Sequence, residues 1–204
     1  MKAASRRRLG APKRGEPSAR DRLVETVCEL FYSEGVRAVG IDMVVERSGV
    51  SKSSLYRTFE SKDALIAAFA EEQNRRYWQW WDEVVDAHAG APRTQIEALF
   101  KALAAQISSP QFRGCPFVNL ATEISDRKHP GAVIACANKQ EVRRRLRALS
   151  SNLGVRDSRR LGDRLALIMD GAYGRAVTLG ATGLEHELLE IVGLVVDAAV
   201  GRTD

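Results

Sequence analysis

Cysteine is scarce in this 204-residue chain: Cys28, Cys115 and Cys136 are odd in number and widely spaced. That excludes a disulfide framework and the paired spacing of a zinc site. Long apolar runs are missing as well. The longest, Ile191 to Val196, stops at Asp197, far short of a membrane span. Asp21, Arg22, Glu25 and Glu29 interrupt the first hydrophobic segment, which argues against a signal peptide. A cytoplasmic protein with no membrane partner is therefore expected. Strand-type alternation and internal repeats are absent, and no phosphate loop or other cofactor motif occurs, so no cofactor is expected.

Acidic residues are nearly missing from the first twenty positions, where Lys2, Arg6, Arg7, Arg8, Lys13, Arg14 and Arg20 face only Glu16. Seven cations against one anion give this arm +6, so the chain total of +5 leaves −1 for the rest. A basic arm of this kind attracts polyanions such as nucleic acid. The remaining composition, 45% hydrophobic and 28% charged over the whole chain, supports a sizeable core or a small domain joined to a larger one.

Helical periodicity runs through the rest. Leu23, Val27, Leu30 and Phe31 define a first helix closed by Gly35. Ile41, Val44 and Val45 define a short second one ended by Gly49. Ser51 can cap a third helix, and Ser61, with Asp63 in the first turn, a fourth that continues through "RRYWQWW" toward His88. Further helices are expected at about 94–107, 117–125, 132–152, 158–179 and 184–200, separated by prolines and glycines. The expected fold is all-α.

The stretch "GVSKSSLYRTFESKDAL", residues 49–65, carries the clearest chemistry. At about 100° per residue, Leu55 and Phe59 share one helix face and Ser53 and Arg57 point away from it. Lys52 with Tyr56 line one flank, and Ser54 with Thr58 the other. Two short helices joined by a tight turn at residues 48–50 make a helix-turn-helix whose second helix fits a DNA major groove. Arg57 can donate bidentately to guanine. Lys52, Ser54, Tyr56 and Thr58 are candidates for phosphate contacts, and Lys62 with the backbone after Ser61 offers another anion site.

The pattern G-V-S-K-x-x-L-Y-x-x-F-x-S-K-x-x-L, met at Gly49, Val50, Ser51, Lys52, Leu55, Tyr56, Phe59, Ser61, Lys62 and Leu65, resembles the DNA-binding domain of the TetR family of bacterial transcriptional repressors, of AcrR type. The resemblance covers residues 20–69. Ser53 stands where many members have Gly or Ala, and Val39 and Gly40 replace a Thr-Thr or Thr-Ser pair that often caps the second helix. "RGCPFVNLATEISDRKHPG", residues 113–131, is similar to the regulatory domain of one subgroup. The resemblance implies a basic arm at 1–20, a helix-turn-helix domain at 21–66, and a ligand-binding and dimerisation domain at 67–204. It also implies a homodimer on double-stranded DNA, with the last two long helices paired across a two-fold axis at about 158–200, and release from a palindromic operator by a small-molecule effector.

Two apolar stripes have an intrachain core as their plain explanation, and each is expected to serve both that core and the pairing. One is Leu165, Ile168, Met169, Ala172 and Ala176 beside Gly171 and Gly174. The other is Leu184, Leu188, Ile191, Val192, Val195 and Ala199. Aromatic bulk from Trp78, Trp81, Phe100 and Phe117, with Cys115, Asn119 and Glu123 nearby, suggests a ligand pocket. Two other readings exist: a redox-sensing repressor acting through Cys115 or Cys136, and a thiol-dependent enzyme using Cys115 and His129 with Glu123. No glycine-rich nucleophile turn accompanies the latter set, so an enzyme is not expected.

Overall fold

The computed structural model describes residues 17–201, and every regular element among them is an α-helix. The N-terminal part consists of α1 (Ala19–Glu34), α2 (Ile41–Ser48) and α3 (Lys52–Thr58). The remainder comprises α4 (Lys62–Asp86), α5 (Pro92–Ile107), α6 (Pro116–Glu123), α7 (Pro130–Asn152), α8 (Ser158–Leu179) and α9 (Leu184–Val200). Most of the basic arm lies outside the described residues. Of its last residues, Ala19 and Arg20 are helical, because Ser18 and Asp21 form a reciprocal capping box that starts α1 before them.

Local chemistry sets most boundaries. Ser51 accepts from the Ser54 amide and Ser61 from the Ala64 amide, each satisfying an orphan N–H at a helix start. Proline at the first position opens α5, α6 and α7, one to two residues earlier than periodicity alone suggests. Gly40 precedes α2 and gives no side-chain cap, as expected where Val39 and Gly40 stand in place of a Thr pair. Gly49 ends α2 in the left-handed conformation at φ 65°.

α1, α2 and α3 close around Leu23, Val27, Val44 and Leu55, all fully buried. α4 then leaves this unit as a 25-residue helix that also packs on α5, α6 and α7. The domain boundary expected at residue 66 thus falls within one continuous helix. Phe31 of α1 meets Phe69 of α4 edge to face at 5.7 Å, tying the two parts through core rather than through a linker.

α7 pairs most extensively with α8, and α8 and α5 each pack on α9. The α7/α8 crossing is close because residue 162 is glycine: a Cβ there would lie 2.6 Å from the backbone N and Cα of Arg147. Asp163 next to it takes Arg143 and Arg147 together, each at 2.7 Å from Nε. The two long terminal helices divide their apolar residues. Leu165, Met169, Ala172, Ala176, Leu184, Leu188 and Val192 are buried within the chain. Leu167, Val177, Leu179, Ile191 and Leu194 face outward, with Leu167 74% and Leu179 77% exposed. Gly171 and Gly174 lie on this outer side with open space where a Cβ would be. No helix among the described residues is long and apolar enough to cross a membrane.

Candidate nucleic-acid interface and regulatory cavity

A seven-residue helix is marginal by itself, and α3 is held by two anchors. Leu55 is fully buried and Phe59 nearly so, each side chain contributing about 1.5 to 3 kcal/mol relative to exposure. α3 rests on α1 as well as on α2. Once that edge is docked, Lys52, Ser53, Tyr56 and Arg57 stand exposed together, while Ser54 and Thr58 are half-buried at the flank. A B-DNA major groove admits an α-helix, and the exposed side chains of this one are all polar or cationic.

Its hydrogen bonds show which groups are free to act. Arg57 Nη2 donates to Ser54 Oγ at 3.2 Å, a weak exposed bond that leaves the guanidinium fork available. Thr58 Oγ1 donates to the Ser54 carbonyl at 2.8 Å, so its proton is committed inside the helix and only its lone pairs face outward. Lys52 Nζ is 2.8 Å from Asp42 Oδ1 on α2, and that bond and charge raise the lysine's pKa. Asp42 is a counter-charge that sequence reasoning passed over. A signal existed, since Asp42 lies in the first turn of α2, where an acid suits the helix dipole. Lys62 opens α4 directly after its Ser61 cap and is half-buried. Arg20 adds a cation at 5.7 Å over the Phe59 ring.

A partly enclosed cavity of about 260 Å³ lies where α1, α4, α5, α8 and the segment before α6 meet. Tyr77 and Trp80 of α4 supply aromatic walls, with Tyr173 of α8, Phe112 and Tyr32 of α1. Arg76, Gln73 and Gln106 supply the polar groups. A wider cleft of about 760 Å³, at the start of α8 and the end of α9, is lined by Arg156, Arg160 and Arg164. It is an open surface bordered by Gly201, the last described residue, and has no aromatic wall. The smaller cavity combines aromatic walls with a few polar groups, the lining that small-molecule sites have in general.

The seven residues expected around a ligand are not gathered in either place. Trp81, Phe100 and Phe117 are fully buried core side chains. Trp78 is half-buried toward α7, its Nε1 donating to Asn74 Oδ1 at 2.9 Å under the Arg145 guanidinium, 4.2 Å from the ring. Cys115 is buried at the start of α6. Asn119 Nδ2 donates to the Arg113 carbonyl at 2.9 Å, bracing the loop. Glu123 accepts from the Arg37 amide at 3.1 Å, reaching the turn between α1 and α2. The cavity uses their sequence neighbours instead: Tyr77 and Trp80 rather than Trp78 and Trp81, Gly114 and Pro116 rather than Cys115 and Phe117. Each differs by one position, which on α4 is about 100° around the helix. Tyr32 went unnoticed because it belongs to a helix assigned to DNA binding.

The thiol readings meet definite geometry. Burial pushes the Cys115 thiol up, and that of Cys28 to about 12, so neither is a thiolate nucleophile at neutral pH. His129 caps α7 by accepting from the Gly131 amide at 3.0 Å, with Nε2 3.3 Å from Asp63. Both ring nitrogens are thereby engaged in structure. With Glu123 on the Arg37 amide, the set is no acyl-transfer site. Cys136 is exposed on α7 and accepts a long contact, 3.5 Å, from Gln140 Nε2.

Comparison with known proteins agrees with this architecture. The family model for bacterial regulatory proteins of the tetR family matches residues 23–69. The structure is similar to SCO4454, a TetR-family transcriptional regulator from Streptomyces coelicolor, with TM-score 0.85 and 29% identity over 89% of this chain and 90% of that one. It is also similar to the TetR-type regulator sav143 from Streptomyces avermitilis MA-4680, with TM-score 0.78 and 32% identity over 90% of this chain and 98% of that one. The regulator LmrA of Bacillus subtilis is 26% identical over 115 residues, 55% of this chain and 60% of LmrA. The other curated relatives are matched over less than a third of their length. With a capped third helix, a long α4 shared by both parts and a match at 32% identity over 90% of its length, the chain belongs to the TetR family of bacterial transcriptional regulators.

Proposed function

We propose that the protein is a dimeric, sequence-specific DNA-binding regulator, a repressor that leaves a palindromic operator when a small molecule occupies its helical domain. As such it acts in the cytoplasm. The observation that carries this reading is the exposed ridge of Ser53, Tyr56 and Arg57 on a helix pinned by Leu55 and Phe59. Arg57 is assigned to a base edge and Lys52, Ser54, Tyr56 and Lys62 to phosphates, which fix the register of the helix.

The outward face of α8 and α9 supports the dimer. Leu167, Val177, Leu179, Ile191 and Leu194 are exposed there beside two glycines that let a second helix approach closely. Large apolar side chains grouped in this way mark an interaction surface. A two-fold axis through it presents two recognition helices to half-sites about one helical turn apart, or a small multiple of it. An effector acts by binding one dimer geometry better than the other.

The test is selection of DNA fragments by the purified protein, followed by affinities of Arg57→Ala and Lys62→Ala on the selected operator and its single-base variants. Arg57→Ala is expected to cost about 1 to 3 kcal/mol per half-site and to relax preference at one base pair. Lys62→Ala is expected to weaken all sequences alike and lower the salt slope by about 0.9 for each phosphate that it leaves without a cation. A uniform loss for Arg57→Ala would overturn the assignment, and a wild-type monomer on a single half-site in sedimentation would overturn the dimer.

A further inference from the structure

Two side chains of α1 reach the cavity, one directly and one through an ion pair. Tyr32 is part of the wall, and its hydroxyl donates to the Gly114 carbonyl at 3.1 Å while accepting from the Arg113 amide at 3.0 Å. Arg76 also lines the cavity. Its Nε is held by Glu72 at 2.6 Å and its Nη2 by Glu25 of α1, 51 positions earlier in the chain. Among the described residues its Nη1 has no hydrogen-bond partner.

The lining contains no carboxylate, and Arg76 is its one charged side chain. Around it stand the rings of Tyr32, Tyr77, Trp80 and Tyr173. Aromatic faces recognise a flat ring, and a guanidinium recognises a planar carboxylate in the bidentate mode through its two Nη groups, of which Glu25 occupies one here. A volume of about 260 Å³ lies below the range for drug-sized ligands, which limits the guest to one or two rings.

We infer that this cavity binds a one- or two-ring aromatic carboxylate, whose ring lies among these side chains and whose carboxylate takes the Nη edge of Arg76 in place of Glu25. The inference rests on the reading of the protein as an effector-released regulator and names the effector's chemical class. Glu25 is more than half exposed, and a pair so open to water is weak, so its displacement opposes the ligand little. For the same reason its loss alone shifts α1 only slightly. The larger effect comes from the bulk of the ring beside Tyr32, which displaces that side chain and with it the hydroxyl's two bonds to residues 113 and 114. Both bonds hold α1 to the helical domain, and α1 carries the recognition helix.

Phenylacetate and indole-3-acetate, with their primary amides as neutral analogues of the same shape, are titrated against the whole protein by calorimetry and tryptophan fluorescence. Each is then added to the protein on its selected operator. The acids are expected to bind about tenfold or more tightly than the amides and to release DNA. Arg76→Gln should erase the difference, and Glu25→Gln, a surface change, should tighten the acids alone by about two- to fivefold, the size of one exposed ion pair. Equal affinity of acid and amide for the wild type, or no binding of any of the four, overturns the ligand class. Acid affinity unchanged in Glu25→Gln overturns the exchange at Arg76, and acid binding with operator affinity unaltered overturns the readout by α1. In each of these cases the ligand-free protein still binds its operator, whereas failure of the regulator reading appears as no DNA selected at all.

Discussion

Replacing Glu123 by alanine tests whether the end of α6 holds the DNA-reading domain in place. Glu123 Oε2 accepts the Arg37 amide at 3.1 Å across 86 positions. The carboxylate fits there because residue 35 is glycine: a Cβ on Gly35, at φ 89°, would lie 2.9 Å from Oε2. A shielded hydrogen bond to an ionised group contributes about 1.5 to 3 kcal/mol. This bond is open to water, so about 1 kcal/mol is the fitting magnitude, near that of a neutral bond. It corresponds to about fivefold in the ratio of held to released turn. Hydrogen exchange at the Arg37 amide should therefore quicken by about fivefold in Glu123→Ala. Operator affinity should fall by up to about that factor per protomer with no effector present, because a fixed turn pre-organises the recognition helix. Glu123→Gln keeps an acceptor and should fall between the two. Unchanged exchange at Arg37 and unchanged ligand-free operator affinity, together with weakened effector binding, would show that Glu123 is a ligand contact and that the reasoning is wrong.

Asp42→Asn should release Lys52 from its 2.8 Å partner, and titration of operator binding against salt should show tighter binding with a slope steeper by up to about 0.9 per half-site; weaker binding would mean that Asp42 positions Lys52 in the complex. Gly162→Ala places a methyl 2.6 Å from backbone atoms of Arg147 that cannot rotate away, so denaturation should report a loss of about 1 to 3 kcal/mol, and an unchanged midpoint would mean that α7 and α8 separate freely. Arg144, then Arg145, lowers the Glu141 pKa to about 2 in the fold; a depressed carboxylate stabilises the fold above its ordinary value of 4.5 and loses that contribution as pH falls toward 2. Unfolding free energy in Glu141→Gln should accordingly depend less steeply on pH over that window than in the wild type, and identical slopes would refute the linkage.

Sequence by itself determined the helices of this protein, because their signals are local. Ser51 and Ser61 cap within three residues, Gly49 ends α2 by its own backbone freedom, and Leu55 and Phe59 fall four apart on one face. The same locality made the exposed polar ridge legible, since a helix as short as α3 has a single apolar edge and everything else must face outward. Tertiary structure alone decided what each polar or aromatic side chain meets. Asp42 reaches Lys52 across the turn, Glu123 reaches Arg37 from another domain, and His129 is spent on a cap and on Asp63. None of these partners is set by spacing along one helix. The cavity shows the limit most plainly: α4 offers four neighbouring aromatics, and only its rotation against α1, α5 and α7 sends Tyr77 and Trp80 to the cavity and Trp81 into the core. That rotation is fixed by close packing summed over several helices, a property that no single stretch of the chain contains.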